Sequence, residues 1–531
     1  MNATVNAAVG RLVVLGTATI GGLGLAIYSG RAVAQGNYNS VMMIVAAILG
    51  LCIFLGIGKN AYIFLAMSVG LTGSIGALPL PFSYQELMIF GCTGITFAHI
   101  AFKRLKVETR GIYLDLFVIA NLLYLASVYI RNPVGVRAFG SEMVGGRPYL
   151  VVIVSALFYF AIVQYKIPPK LAPKFPFVIA GPIIFFACIQ LLAYFVPGVT
   201  KVVYPFWNGV GLDKSIIEAA GGTVSGGDAL VSRIPGSGII GMTVIQLLCA
   251  YFPVGHFISP MCPLPFFLFS LAMIGWLASG FRSGILVYAG YLFYNCWLRR
   301  RLNDLVPLIP IAVIFLGILV VGQGTMFDLP KGMQRSLSFL PGNWNVEAKG
   351  DADASTEWRL EMWKEVWGNK EFIKSKTFGD GFGFSSYDLK LQIDAILGQG
   401  GYMDGTKAQM ITGAYHSGPL SGIRYVGVVG TLLFLALQIA VFVYSAGLVR
   451  RAWGTPYQAI SLFIAVPLFY STFSYYTIFG GYETELPRTI FTVGLLKLVE
   501  LSLRDYKKSL ADAEARPPVP LTLPRPQLTR A

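Results

Sequence analysis

Histidine is scarce in this chain, which has only three in 531 residues: His99, His256 and His416. Charge is scarce as well. Asp, Glu, Lys and Arg together make up 13% of the sequence, and acids are the rarer sign, 26 against 41 Lys and Arg. So little charge over such a length excludes a string of soluble domains, and a mean hydropathy of +0.64 places the chain among membrane proteins. The six cysteines, Cys52, Cys92, Cys188, Cys249, Cys262 and Cys296, lie in or beside apolar runs. That placement excludes a disulfide framework and a cysteine metal site.

Apolar length is what the sequence has in abundance. Runs such as "VMMIVAAILGLCIFLGIG", "FVIAGPIIFFACIQLLAYFV" and "VVGTLLFLALQIAVFVYSAGLV" approach or exceed the ~20 residues that cross a bilayer core. A spanning segment must satisfy its own backbone hydrogen bonds, so each reads as a helix. The pattern predicts an all-α, polytopic integral membrane protein with about fourteen transmembrane helices. They fall near 11–29, 41–57, 61–77, 86–102, 113–130, 149–164, 174–196, 236–254, 262–280, 283–298, 304–321, 419–447, 457–477 and 487–503. The first lacks a small-residue cleavage site and others follow at once, so it reads as a retained helix and not a signal peptide.

Basic loops set the orientation. "KRLKVETR" (103–110), "KIPPKLAPK" (166–174), "RRR" (299–301), "RR" (450–451) and "RDYKK" (504–508) share one side, which the positive-inside rule makes cytoplasmic, with both termini. The net charge of +15 is largely this retention signal and gives no reason to invoke nucleic acid. Residues 1–321 then hold spans one to eleven, 322–417 form a large outer loop, and 418–503 hold the last three spans. Residues 504–531 make a Pro-rich cytoplasmic tail, disordered from about 509. The outer loop carries 12 acidic and 10 basic residues, the mixture of a water-facing segment. Two further outer segments are the glycine-rich 197–235 and the short 131–148, with Arg131, Arg137 and Arg147.

Arg282, in "SGFRSG", stands at a tight junction between two spans with no acid nearby in sequence. A guanidinium at the edge of the low-dielectric slab is costly unless paired or hydrated. Either it snorkels or pairs with a distant acid, or it binds a ligand anion, for which the planar guanidinium fork suits phosphate. Within the outer loop, "STEWRLEMWKEVW" (355–367) predicts a short helix capped by Ser355 or Thr356. Leu360, Trp363 and Trp367 form one face, which would lie on the membrane surface and carry Arg359 to headgroup depth. The competing reading is a solvated helix on which Arg359 is one more surface charge. "FGDGFGFSSYD" (378–388) lacks the Lys, the strand and the spacing of a nucleotide loop, and reads as a turn that folds the loop back on the membrane.

His99, within a span, and His256, on the inner side, read as structural. His416 differs, because it stands where the outer loop re-enters the membrane, on the same side as Arg282 and Arg359. It is either an interfacial anchor or a base that takes a proton from a hydroxyl, with the arginines holding a phosphate-linked leaving group. Arg424, Arg147 and Arg488 are further candidates on that side.

Taken in order, "SGFRSG", "EWRLEMWKEVW…FGDGFG" and "YHSGPLSGIRYVGVVGTLLFL" resemble the O-antigen ligase and polymerase family of bacterial envelope glycosyltransferases. The resemblance covers about 236–447. It implies a GT-C-like fold in the bacterial inner membrane, multi-pass, with the large loop periplasmic. It also implies a metal-independent, inverting transfer of glycan from an undecaprenyl-diphosphate-linked donor to a glycan or lipid acceptor. By the same resemblance, Arg282 and Arg359 would bind the diphosphate and His416 would act on the acceptor hydroxyl, with no cofactor. Membrane lipids and a chain-length regulator protein are the further partners expected. The chain departs from the family pattern at Ser417, where asparagine is usual, and at Arg424, in place of an acidic or amide residue. Polymerase or exopolysaccharide assembly is the preferred member activity, with ligase to lipid A core or protein O-oligosaccharyltransferase as the alternative. A flippase is the alternative from another class, although no half-to-half repeat is evident.

Overall fold

The computed structural model describes residues 58–76, 82–134, 145–196, 198–210, 234–385 and 410–515 apart from 412 and 414, with isolated positions between 26 and 34. Among the described residues the protein is all-α. Its helices are α1 (Ala61–Ser68), α2 (Tyr84–Ala101), α3 (Leu114–Arg131), α4 (Arg147–Ile162), α5 (Phe175–Phe195), α6 (Gly198–Val203), α7 (Ser237–Tyr251) and α8 (Pro263–Ala278). They continue with α9 (Ser283–Leu298), α10 (Leu308–Gly322), α11 (Lys331–Leu337), α12 (Val346–Gly368), α13 (Gly418–Ala452), α14 (Gln458–Thr477) and α15 (Tyr482–Glu514).

Every expected span from residue 61 onward meets a helix, although the one in 61–77 stops at Ser68. Among the described residues, where twelve crossings were expected, five segments are long and apolar enough to cross a membrane: Leu114–Arg131, Ala172–Phe195, Leu302–Gly322, Gly418–Ala452 and Gln458–Thr477. Arg147–Ile162, Ser237–Tyr251 and Pro263–Ala278 are apolar but shorter. A helix of 16 residues rises about 24 Å, short of the ~30 Å hydrocarbon core. Hydropathy runs on through Val69 to Gly73 and through Phe252 and Pro253, where the helices stop. The expected spans 11–29 and 41–57, the glycine-rich "GGTVSGGD" and Arg137 lie outside the described residues. The coarser expectation holds, since these apolar helices are the pattern of a multi-pass membrane protein.

Local chemistry sets the helix ends. Ser83 opens α2 with a reciprocal capping box, its side chain accepting from the Glu86 amide while Glu86 accepts from the Ser83 amide at 2.7 Å. The helices then alternate in direction, so that one end of the bundle carries residues 323–385 and the head of α13, and the other carries the basic loops. At the basic end, Glu108 joins Arg110 and Lys166, and Arg110 reaches Asp505. The Arg110 and Lys166 partners hold the Glu108 carboxyl well below the usual carboxylate range against the opposing effect of burial. Between the ends, Lys497 of α15 donates to Asp115 of α3 at 2.7 Å and to the Tyr159 hydroxyl of α4 at 3.2 Å. This buried triad ties three helices where an unpaired charge would be costly. Residues 509–514, expected in a disordered tail, belong to α15, which continues to Glu514; residues 516–531 lie outside the described set.

Two features of the loop differ from expectation. Helix α12 starts at Val346, where the Asn345 side chain accepts from the amides of Glu347 and Ala348, so the N-cap is Asn345 and positions 355 and 356 lie inside the helix. Its apolar face is also rotated. Met362 and Val366 pack with Phe372, Ile373, Met410 and Tyr415, and Trp358 and Trp363 pack against that cluster. Leu360 and Trp367 are exposed. Of the expected face, Trp363 therefore packs into a small core that Leu420 and Ile423 of α13 also join, while Leu360 and Trp367 stay on the outside.

The Gly-rich turn does fold back on the bundle. Helix α13 is interrupted at Gly427, whose φ of 70° and ψ of 178° break the run of helical geometry. Residues 376–381 fill the breach. The amides of Asp380 and Gly381 donate to the carbonyls of Arg424 and Tyr425, both at 2.9 Å, and the amides of Val428 and Val429 donate to Lys376 and Thr377 at 2.8 and 3.3 Å. Backbone groups freed by the break are thus paired, as an apolar setting demands.

Candidate functional site

The α8–α9 junction is shaped by small residues. Trp276 donates its indole N–H to the Phe281 carbonyl at 3.2 Å, and a side chain at Gly284 would overlap the indole ring. Gly280 turns the chain with φ +74°. Helix α11 docks on this turn. Arg335, 6% exposed, donates to the Gly280 carbonyl at 2.7 Å, and Ser336 Oγ donates to the Leu277 carbonyl at 3.1 Å. Arg335 is a site residue that the sequence reading missed. The one signal for it was "PKGMQRSL", a short helix opened by proline that presents an arginine two residues after an apolar methionine.

Two residues beyond Gly280, Arg282 stands at the head of α9. Its distant acid exists: Arg282 Nη2 lies 3.5 Å from Asp353 Oδ1 on α12. The expectation of no acid nearby in sequence holds in sequence and fails in space, since 71 positions of chain loop back. The pair is long, and Asp353 is 57% exposed against 27% for Arg282. At that distance and exposure the contact is weak and open to exchange for another anion.

From Asp353, α12 continues to Trp358 and Arg359. Arg359 is half-buried and its Nε has no hydrogen-bond partner. Burial and then the Arg335 guanidinium act against its charge. An arginine in this state has a desolvated donor directed at no protein acceptor, and a second cation near enough to repel it.

His416 completes the cluster. It is a non-glycine residue at φ +52°, a conformation few side chains adopt. The chain around it is fixed: Tyr415 is fully buried, and its carbonyl accepts from the Trp363 indole at 2.7 Å. The imidazole lies between two rings, with centroids 5.7 Å from Trp358 and 5.1 Å from Phe479. Burial first, and then the positive charge of Arg359, hold its pKa below the ordinary value. Arg359 and His416, separated in sequence, are therefore close enough for one charge to act on the other. Neutral imidazole prevails near pH 7, the form able to accept a proton.

The remaining sequence candidates are committed elsewhere. Arg424 is buried, paired with Asp380 at 3.3 Å, and its guanidinium faces the carbonyls of Gly381 and Gly383 at 3.4 Å, so it clamps the turn to the broken helix. Arg147 pairs with Glu86 at 2.7 Å and ties α4 to α2. Arg488 pairs with Glu485 at 2.9 Å within α15. Among the described residues, no group of three or more His, Cys, Asp or Glu is arranged to hold a metal.

Arg335 bonds to the turn that carries Arg282, its charge acts on Arg359, and that of Arg359 acts on His416, so three guanidinium groups and a neutral imidazole gather at this end of the bundle. Guanidinium groups suit phosphate-bearing anions, and a neutral imidazole can accept a proton. The chain matches no protein-family model and no curated protein.

Proposed function

We propose that this protein is a membrane glycosyltransferase that moves a glycan from a polyprenyl-diphosphate-linked donor, undecaprenyl diphosphate in a bacterial inner membrane, to an acceptor hydroxyl at the loop end of its bundle. The observation that carries the reading is Arg359: a half-buried guanidinium with an unsatisfied Nε, flanked by Arg335 and facing a neutral His416. A diphosphate supplies the acceptor that Arg359 lacks and displaces Asp353 from Arg282. As the sugar–phosphate bond breaks, negative charge grows on the departing diphosphate, and the arginines stabilise it. His416 takes the proton of the attacking hydroxyl, so the new glycosidic bond forms as the donor bond breaks. Polymerisation of repeat units is the preferred outcome; transfer to a lipid or protein acceptor is the alternative member of the same chemistry.

A transporter reading draws on the broken helix α13, since discontinuous helices mark many transporter sites. Here the freed backbone groups are occupied by residues 376–381, leaving them closed to an ion or substrate. The test is reconstitution of purified protein with a polyprenyl-diphosphate-linked oligosaccharide and chelator, comparing wild type with His416→Asn, which tolerates the left-handed backbone at that position. Transferred glycan from wild type and none from the variant is expected. Movement of intact donor across the bilayer without transfer would replace this reading with transport.

The pH profile follows from the same imidazole. Because its pKa lies below the ordinary value of 6.5, kcat/KM is expected to be level above pH 6.5 and to fall at lower pH as His416 protonates. Arg359→Gln removes one of the two causes, so the acid limb of its residual activity is expected to move to higher pH. The linked stability has the same sign: the neutral imidazole's contribution is full above about 6.5 and is lost as pH falls toward the lowered value. A limb that stays in place in the variant would separate His416 from Arg359.

A further inference from the structure

A second polar site lies inside the bundle, between α13, α14 and α15. It is a cavity of about 30 Å³ lined by Gln438, Ser471, Thr472, Glu485, Arg488 and Thr489, among others. Gln438 is 4% exposed, and its Oε1 is buried without a hydrogen-bond partner. Three of the hydroxyls that line the cavity donate to backbone carbonyls. Ser471 Oγ donates to the Leu468 carbonyl at 3.3 Å, Thr489 Oγ1 to Glu485 at 2.8 Å, and Thr492 Oγ1, also in the lining, to Arg488 at 2.9 Å. Their oxygens remain as acceptors. Glu485, 8% exposed, gives Oε2 to Arg488, and its carboxylate has a second oxygen, Oε1. The Arg488 side chain is 67% exposed, so the one cation of the wall stands at the rim.

A cavity of this volume is large enough for a water or a small ion. Its inner wall offers acceptors from an amide, hydroxyls and a carboxylate, which an occupant bearing positive charge satisfies better than one needing donors. A single carboxylate, already shared with an arginine, is too few for the oxygen-rich shells of divalent ions. We propose that this cavity binds one monovalent alkali cation, held by Gln438 Oε1, the second Glu485 oxygen and the Ser471 and Thr489 hydroxyls, with Arg488 swung outward. The site is independent of the donor-binding cluster at the α8–α9 junction.

The experiment is thermal unfolding of the full chain in nanodiscs, followed by tryptophan fluorescence, in sodium, potassium or N-methyl-D-glucamine chloride at equal ionic strength. Wild type is expected to show a saturable rise of about 2 °C in sodium or potassium over the organic cation. Gln438→Leu and Ser471→Ala are each expected to abolish that difference, and Arg488→Gln to keep or enlarge it by removing the competing cation. Ser471→Ala removes a single oxygen and keeps the test open should Gln438→Leu misfold. Identical midpoints in all three salts, meaning a cavity that holds only water, would overturn the proposal. So would an alkali effect that survives both variants, or one lost in Arg488→Gln.

Discussion

Gly427→Ala is expected to destabilise the protein by about 3 kcal/mol or more and to leave little folded material on extraction. The residue combines φ 70° with ψ 178°, a region reserved almost entirely for glycine, where another residue costs about 1–3 kcal/mol. A Cβ would also meet the Thr377 carbonyl and the Phe378 amide. Those atoms are backbone held by the hydrogen bonds that seal the break, so they cannot yield without unpairing groups in an apolar setting. Gly317→Ala in α10 is the control. Nothing stands within 4 Å of a Cβ there, and alanine favours helix by about 1 kcal/mol over glycine. Size-exclusion profiles and melting midpoints of the two variants should therefore diverge. Equal stability would mean that residues 376–381 do not fill the break in the folded protein.

Arg359→Ala is expected to lower kcat/KM for glycan transfer by about 10²–10³, the loss usual when one group stabilising developing negative charge is removed. Arg359→Lys should recover only part of it, because an ammonium supplies charge without the paired donors of the guanidinium. Asp353→Asn should act in the opposite direction and lower the KM for donor, since the aspartate competes with the incoming anion at Arg282. Initial rates with a defined lipid-linked oligosaccharide measure all three. Full activity in Arg359→Ala would remove the arginine from the mechanism.

The sequence made the helices legible because apolar runs and basic loops are local signals. Segment 283–298 coincides with α9, and 174–196 with α5 to within a residue at each end. The turn at 378–384 was also readable, since its two positive-φ positions are glycines, Gly379 and Gly381. What escaped depends on distance along the chain. The acid for Arg282 lies in a helix beyond two intervening elements, and nothing about Asp353 in sequence marks it. Arg335 escaped because a lone arginine in a loop resembles a surface charge until Gly280 is brought to it. Arg424 poses the converse case: a basic residue entering an apolar helix suggests a ligand, and only the fold shows that the turn brings Asp380 to it. The face of α12 was legible only in part, with Trp363 in a core and Leu360 and Trp367 outside it, because tryptophan suits a protein core as well as an interface.

The sealed break in α13 bears on how the chain is made. Residues 376–381 leave the ribosome before residues 424–429, so the patch is synthesised ahead of the tear it mends. A newly inserted α13 would otherwise present unpaired amides and carbonyls to lipid, a costly state. Circular permutation that placed the 376–381 segment after α13 would preserve every contact in the finished fold and reverse this timing. Its cost would appear in cellular yield and not in the melting point of whatever protein survives.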